Sequence, residues 1–210
     1  MASEVYIITY LRHGESVGNL EGRFQGQADF PLTDRGRLQA QALAKRWQSE
    51  GATFDRAVAS PLLRAKETAE IVCSSLDIPL EFDPDWREVN NGLMAGLTQE
   101  EGDKQYPRPV FMTPYTHYGR TGESRWELYL RAGRCIQKIL ERPAGRYLVV
   151  AHGGILNMAM YAMLSISPQA DYGGPRFAFE NTTFTTMMYE PEHHNWRMLC
   201  FDGPSRWNAD

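Results

Sequence analysis

Cysteine is scarce in this chain: three in 210 residues, at positions 73, 135 and 200. Their number is odd, their spacing wide, and no C-x-x-C pair occurs. That speaks against a disulfide framework or a zinc site and for a reducing cytoplasm. Each lies among apolar neighbours, so all three are expected as buried structural thiols. No run of 18 apolar residues occurs, so nothing is expected to span a membrane. Met1 to Glu4 lack a basic segment followed by an apolar one, and no signal peptide is expected. An excess of basic charge is missing too: 22 Lys and Arg face 26 Asp and Glu, for a net charge of -4. Nucleic acid and anionic lipid are therefore not expected partners, and any anion needs a local site. Repeats, low-complexity tracts and linkers are absent.

What remains is an ordinary globular composition, 42% hydrophobic and 23% charged, which excludes a disordered, collagenous or coiled-coil chain. One domain over residues 1–210 is expected. Val5 to Leu11 is a short, almost continuously apolar run, the pattern of a strand covered on both faces. A helix follows, capped by Thr33, with Leu38, Ala42 and Trp47 at helical intervals and Gly51 at its end. Arg56 to Ala59 reads as a buried strand. Ser60-Pro61 supplies an N-cap and a first-turn proline for a helix to about Leu76. Ile78 to Phe82 reads as a weak edge strand. Thr98 and Glu101 have capping-box spacing. Residues 107–122, rich in proline, glycine and aromatics, read as a long loop.

Glu123 to Arg142 is an amphipathic helix with Leu128, Cys135, Ile136 and Ile139 inward. Arg146 to Ala151 is a buried strand and Gly153 to Leu164 an apolar helix, whose Met158, Met160, Tyr161 and Met163 are expected in the core. Thr183 to Tyr189 and Trp196 to Phe201 form an antiparallel pair around a Pro191–Asn195 turn, with His193 and His194 exposed there. Strand and helix alternate. The expected fold is a three-layer α/β/α sandwich on a mostly parallel mixed sheet.

The polar candidates fall just after strand ends, where open α/β sheets bind ligands. One strand ends in Leu11-Arg12-His13-Gly14-Glu15-Ser16, a second in Ala59-Ser60-Pro61-Leu62-Leu63-Arg64, a third in Ala151-His152-Gly153-Gly154. If these strands are neighbours, two guanidinium groups and two imidazoles share a crevice. Guanidinium groups match a phosphoryl group bidentately and keep their charge. Glycine after each histidine permits close backbone approach. The helix starts near Gly153 and Pro61 offer N–H donors, and Asn19 offers another. This describes a dianion site built without a metal or cofactor. A neutral imidazole nitrogen can attack phosphorus. The leaving alkoxide then needs a proton and the incoming water a base, and Glu88 is the best-placed carboxyl for both. Glu15 fits either a contact with these groups or a cap on the next turn. Tyr115, His117, Tyr118 and Arg120 fit either a substrate lid or packing of their own loop.

Leu11-Arg12-His13-Gly14-Glu15-Ser16 resembles the RHG signature of the histidine phosphatase superfamily, which includes cofactor-dependent phosphoglycerate mutases. Asn19, Gln25-Gly26, Pro31-Leu32-Thr33, Gly36, Gln39-Ala40 and the stretch from Ser60 to Ala69 fit the family pattern in order. So do Glu88, Gly92, Gly96-Leu97-Thr98, Gly122-Glu123-Ser124 and Val150 to Gly154. The resemblance spans about residues 5 to 190. It implies that His13 is the phosphorylated nucleophile. Arg12, Arg64 and a protonated His152 would hold the phosphoryl oxygens, with Asn19 and Gly153 beside them. Glu88 would be the proton donor and then the base. It also implies a mixed sheet flanked by helices.

Mutases of this family carry a tyrosine three residues after the acidic donor and a lysine farther along the loop. Here those places hold Asn91 and Gln99. The arginine pair that grips a substrate carboxylate is reduced to the separate Arg108 and Arg120. The expected function is therefore metal-independent hydrolysis of a small-molecule phosphomonoester in the cytoplasm. A phosphoglycerate mutase and a non-catalytic phosphate-binding module are the alternatives.

Overall fold

Alternating side chains along three strands create two separate cores. Tyr6, Ile8 and Tyr10 join Tyr147, Val149 and Ala151 in one of them. Leu11 joins Leu148 and Val150 in the other. A sheet that is apolar on both faces needs a helical layer on each. The computed structural model, which describes residues 5–202, has that architecture. The expectation about Met1 to Glu4 lies outside the described residues.

In chain order the first half runs β1 (Tyr6–Arg12), α1 (Val17–Leu20), α2 (Asp34–Ser49), β2 (Arg56–Ala59), α3 (Leu63–Leu76) and β3 (Leu80–Phe82). The second half runs α4 (Gln99–Gln105), α5 (Arg125–Leu140), β4 (Arg146–Ala151), α6 (Gly153–Met163), β5 (Phe184–Glu190) and β6 (Asn195–Asp202). The sheet order is β3-β2-β4-β1-β5-β6. β3, β2, β4 and β1 pair in parallel, and β5 runs antiparallel to both β1 and β6. The expected mostly parallel mixed sheet is therefore present. α2 and α3 cover one face through Leu43, Trp47, Ala69 and Val72. α5 and α6 cover the other through Leu128, Ile136, Ile155 and Leu156. Among the described residues no helix is long and apolar enough to cross a membrane.

Several local expectations need correction. The buried stripe of α2 is Gly36, Ala40, Leu43, Ala44 and Trp47, and Leu38 and Ala42 face solvent. α3 begins at Leu63 rather than Pro61, and its N-cap Leu62 makes no side-chain cap. Asp29 instead accepts the Leu63 N–H at 2.6 Å. Cys73 and Cys135 are buried, and burial pushes both thiols up to about 12. Cys200 is exposed, because β6 is the sheet's edge and that residue has no helix over it. The capping box Thr98/Glu101 forms as expected, and so does one on α5 between Ser124 and Glu127. Met158, Met160, Tyr161 and Met163 are all buried. His193 and His194 lie in the exposed turn, where the Tyr189 hydroxyl is 3.0 Å from His194 Nδ1.

Candidate active site

Strand register sets the site. β2, β4 and β1 are neighbours, as the crevice requires. Arg12 pairs with Ala151, and Ala59 with Val150. Two backbone bonds extend the ladder past the strand ends: His13 N–H to the Ala151 carbonyl at 3.1 Å and Ser60 N–H to the Val150 carbonyl at 3.0 Å. The imidazoles of His13 and His152 therefore lie side by side, ring centroids 5.1 Å apart. Both are buried, with Arg64 beside them.

Each group is held by the backbone or by a neutral partner. His13 Nδ1–H donates to the Gly14 carbonyl at 2.7 Å, which leaves Nε2 with the lone pair. The His13 carbonyl accepts from Asn181 Nδ2, whose other partner is Asn19 Oδ1. His152 Nε2 is 2.7 Å from the Ser60 hydroxyl. Arg64 donates to the carbonyls of Ala28 and Gly26, and Arg12 to that of Phe179. Gly14 lies so close to the start of α2 that a Cβ on it would meet the Gly36 carbonyl oxygen at 2.5 Å.

Among the described residues neither Arg12 nor Arg64 has a carboxylate ion-pair partner. Four buried side-chain polar atoms there lack a hydrogen-bond partner. Three are Arg12 Nε, Arg64 Nε and His152 Nδ1; the fourth, the Tyr10 hydroxyl, lies in the core beside Trp86. Buried donors are normally satisfied. Three unsatisfied nitrogens around one pair of imidazoles describe a receptacle for an anion's oxygens.

The electrostatics agree. Burial pushes the Arg64 guanidinium down to about 10, so it stays charged near neutrality. Burial also lowers Arg12. Desolvation, and then the neighbouring guanidinium groups, hold His13 well below the ordinary histidine range. His152 is lowered in the same way, by burial, Arg64, His13 and Arg12. For both imidazoles the direction is toward the neutral form, against the protonated His152 that the family resemblance implies.

These depressed groups make stability depend on pH. Between its native pKa and about 6.5 each histidine binds more protons unfolded than folded. Stability is therefore complete above about pH 6.5 and falls below it, by roughly 1.4 kcal/mol per pH unit for each group. Thermal unfolding of the wild type should show a steeper acid loss from pH 6.5 to 5 than His13→Asn. Parallel curves would refute the placement of neutral imidazoles.

Glu88 reaches the site on the loop after β3. Its Oε2 accepts from Gly154 N–H at 3.0 Å, and Oε1 from Ile155 and Val89 N–H at 3.0 and 2.9 Å. At the N-terminus of α6 the Gly154 and Ile155 amides therefore hold this carboxyl. A Cβ on Gly154 would lie 2.5 Å from Glu88 Oε1, so only glycine lets the carboxyl seat there. Gly153 lies against Arg12, an added Cβ standing 3.8 Å from its Nε. The adjacent Gly153 and Gly154 thus bring Arg12 and Glu88 to the end of α6 that follows His152.

Asn19 sits one step out. It closes the capping box of α1 with Ser16 and touches Asn181. Glu15 faces away, accepting from Thr33 and Arg35 at the start of α2. Ser60, Thr68, Asn181 and Arg131 join the site without having been singled out. Thr68 accepts the Gly14 N–H at 3.1 Å and donates to the Arg64 carbonyl. Of these, Arg131 carried a legible signal: a charge three residues after Leu128 on the inward stripe of a helix.

A cleft of about 710 Å³ opens from Arg12, Gly153 and Gly154, walled by Tyr118, Tyr161, Tyr172, Phe177 and Met158. A second cavity of about 850 Å³ shares Val89, Tyr118 and Tyr172 with it. The long loop thus divides its labour. Tyr118 walls the cleft, whereas Tyr115 stacks on Trp126 and His117 donates to the Gly122 carbonyl. Arg120 lies over Tyr106.

Residues 8–202 match the model of the histidine phosphatase superfamily, branch 1. The chain is 34% identical over 188 residues to a Yersinia enterocolitica protein named Probable phosphoglycerate mutase GpmB, an alignment covering 86% of this chain and 83% of that one. It is similar to the solved structure of Bacillus stearothermophilus YhfR, at 29% identity, 95% and 98% coverage and a TM-score of 0.83. It is also similar to a mycobacterial glucosyl-3-phosphoglycerate phosphatase solved with VO3, at 26% identity, 94% and 99% coverage and a TM-score of 0.77. The chain belongs to the histidine phosphatase superfamily. Among its solved neighbours is a named phosphatase, and among its curated relatives a protein named as a probable mutase.

Proposed function

We propose that this protein hydrolyses a small-molecule phosphomonoester in two steps through a phosphohistidine at His13. The observation that carries the reading is the His13 Nδ1–H bond to Gly14, which leaves Nε2 as a neutral nucleophile beside two buried guanidinium groups free of carboxylate partners. In the first step a bond forms from Nε2 to phosphorus and the ester P–O bond breaks. Glu88 gives its proton to the leaving oxygen. In the second step water attacks phosphorus, its proton passes to Glu88, and the N–P bond breaks to release phosphate. Arg12, Arg64 and His152, with Asn19 and Gly153 nearby, neutralise the phosphoryl charge by preorganised electrostatics. His152 would take up a proton when the dianion binds, because the new negative charge favours the imidazolium and offsets the repulsion from Arg64 and Arg12, which adds to the burial that depresses it.

Hydrolysis is favoured over transfer by the residue types in the second cavity, next to the cleft. Asn91 and Gln99 replace the mutase tyrosine and lysine. Arg108 stacks on Tyr172 at 4.5 Å and lies 3.8 Å from Asp171, so it is not held ready for a carboxylate. The cleft is several times the size of a three-carbon acid, and its wall combines aromatic rings (Tyr118, Tyr161, Tyr172, Phe177) with the cations Arg125 and Arg176. That suits a leaving group larger than a three-carbon acid that offers both a ring or sugar face and polar groups. The three free thiols fit a cytoplasmic setting.

Phosphoglycerate mutase is kept as the second reading because of the Yersinia relative's name. Kinetics on a panel of phosphomonoesters, with interconversion of 2- and 3-phosphoglycerate assayed alongside, separates the two. Interconversion faster than hydrolysis would overturn the hydrolase. EDTA should leave the rate unchanged, since guanidinium groups carry the charge compensation. Glu88→Ala should slow glycerol phosphate by about 10²-fold or more, but nitrophenyl phosphate far less, because nitrophenolate leaves without a proton. Equal losses would contradict the assigned role.

A further inference from the structure

Arg131 is a buried cation on α5, on the outer side of the loop that carries Glu88. Its guanidinium donates to three successive parts of that loop. Nη1 reaches the carbonyls of Asp85 at 2.6 Å and Arg87 at 2.7 Å, and Nη2 reaches that of Glu88 itself at 3.2 Å. Glu123 closes the clamp. Its carboxylate takes Arg131 Nε and Nη2, each at 2.7 Å, and its Oε2 accepts the Asn90 N–H at 3.2 Å. The Glu123 N–H in turn donates to the Asn90 carbonyl at 2.8 Å.

Beyond the anchor Trp86, the outer side of the loop borders an open cavity of about 520 Å³ lined by Gln27, Arg87, Asn90 and Arg134. From that side the backbone of residues 87–90 is gripped by Arg131, Glu123 and the Gln27 amide, which donates to the Glu88 carbonyl at 3.1 Å. From the inner side the Glu88 carboxyl sits on the amides of α6 and the partly buried Val89 packs against the core. A general acid that must approach and leave the ester oxygen cannot also be the anchor of its own loop.

We propose that Arg131 and Glu123 form a positioning clamp that fixes the Glu88 carboxyl at the reacting oxygen, and that the clamp sets the rate for substrates whose leaving group needs a proton. The inference rests on the acid role given to Glu88. Lysine is not a conservative replacement at position 131, because a point ammonium cannot span three carbonyls and a bidentate carboxylate. A misplacement of about 1 Å at a catalytic group costs up to about a hundredfold.

The test measures kcat and KM of Arg131→Lys and Glu123→Gln with nitrophenyl phosphate and glycerol phosphate, in wild-type and Glu88→Gln backgrounds. The clamp predicts that Arg131→Lys lowers kcat on glycerol phosphate by about tenfold to a hundredfold. Its KM, and turnover of nitrophenyl phosphate, should change little. In the Glu88→Gln background the same change should add nothing. If Arg131→Lys does not fold, Glu123→Gln, which keeps the shape and weakens the clamp, carries the same comparison. Equal losses on both substrates, or losses that persist in the Glu88→Gln background, would overturn the positioning role and leave the acid role standing. A Glu88→Gln variant with no selective loss would overturn the acid role and the clamp together.

Discussion

His13→Ala is expected to lose nitrophenyl phosphate turnover by about 10⁴-fold or more. His152 is not expected to take over, since its Nε2 is engaged with Ser60 and its unpartnered Nδ1 is assigned to the phosphoryl oxygens. Water could attack the bound ester directly, but it would lack the covalent division of the barrier. The variant should fold, since His13 contributes no ion pair and its buried neutral ring lowers stability in acid. Circular dichroism and thermal unfolding check that point. Full activity in a folded His13→Ala protein would refute the nucleophile.

Arg64→Met should cost about 10²- to 10³-fold in kcat/KM even for nitrophenyl phosphate. The residue is 1% exposed, and its guanidinium, pushed down only to about 10, keeps its charge near neutrality. Its Nη atoms hold Gly26 and Ala28, which flank Gln27, so the residue also shapes the wall near Glu88. The two duties are separable. Loss of transition-state charge affects good and poor leaving groups alike, whereas disturbance of Glu88 affects poor ones more. Arg64→Met should therefore show a large loss common to both substrates and a smaller selective one. Inorganic phosphate should raise the unfolding temperature of the wild type, because a ligand that binds only the folded state stabilises it by mass action. The same additive should leave Arg64→Met nearly unmoved. A variant stabilised as strongly as the wild type would contradict the site.

The strands, and the position of the candidate nucleophile at a strand end, were legible because short apolar runs ended in polar or charged residues. Arg146 to Ala151 has the bounds expected from its sequence, since its burial on both faces leaves no polar position to blur them. What was not legible depends on contacts across long separations. Ser60-Pro61 looks like a helix start, but the Ser60 hydroxyl meets His152 and Asp29 caps α3 from 34 residues away. α1, four residues long, is too short for any periodicity to show. The expected stripe of α2 took Leu38 for a core residue, whereas Ala40, Leu43, Ala44 and Trp47 are the ones that pack. Glu88 could be proposed from its loop, but the amides that receive it belong to α6, some 65 residues on, and only the fold brings them together.

Trapping the phosphoenzyme tests the central claim most directly. The wild type and Glu88→Gln would be mixed with nitrophenyl phosphate, quenched in alkali, where phosphohistidine persists, and mapped by tandem mass spectrometry. The account predicts one phosphoryl group on His13, attached at Nε2. It should be more abundant in Glu88→Gln, whose second step lacks a base, and absent in His13→Ala. A phosphoryl group on any other residue, or turnover by a wild type that never carries one, would contradict it.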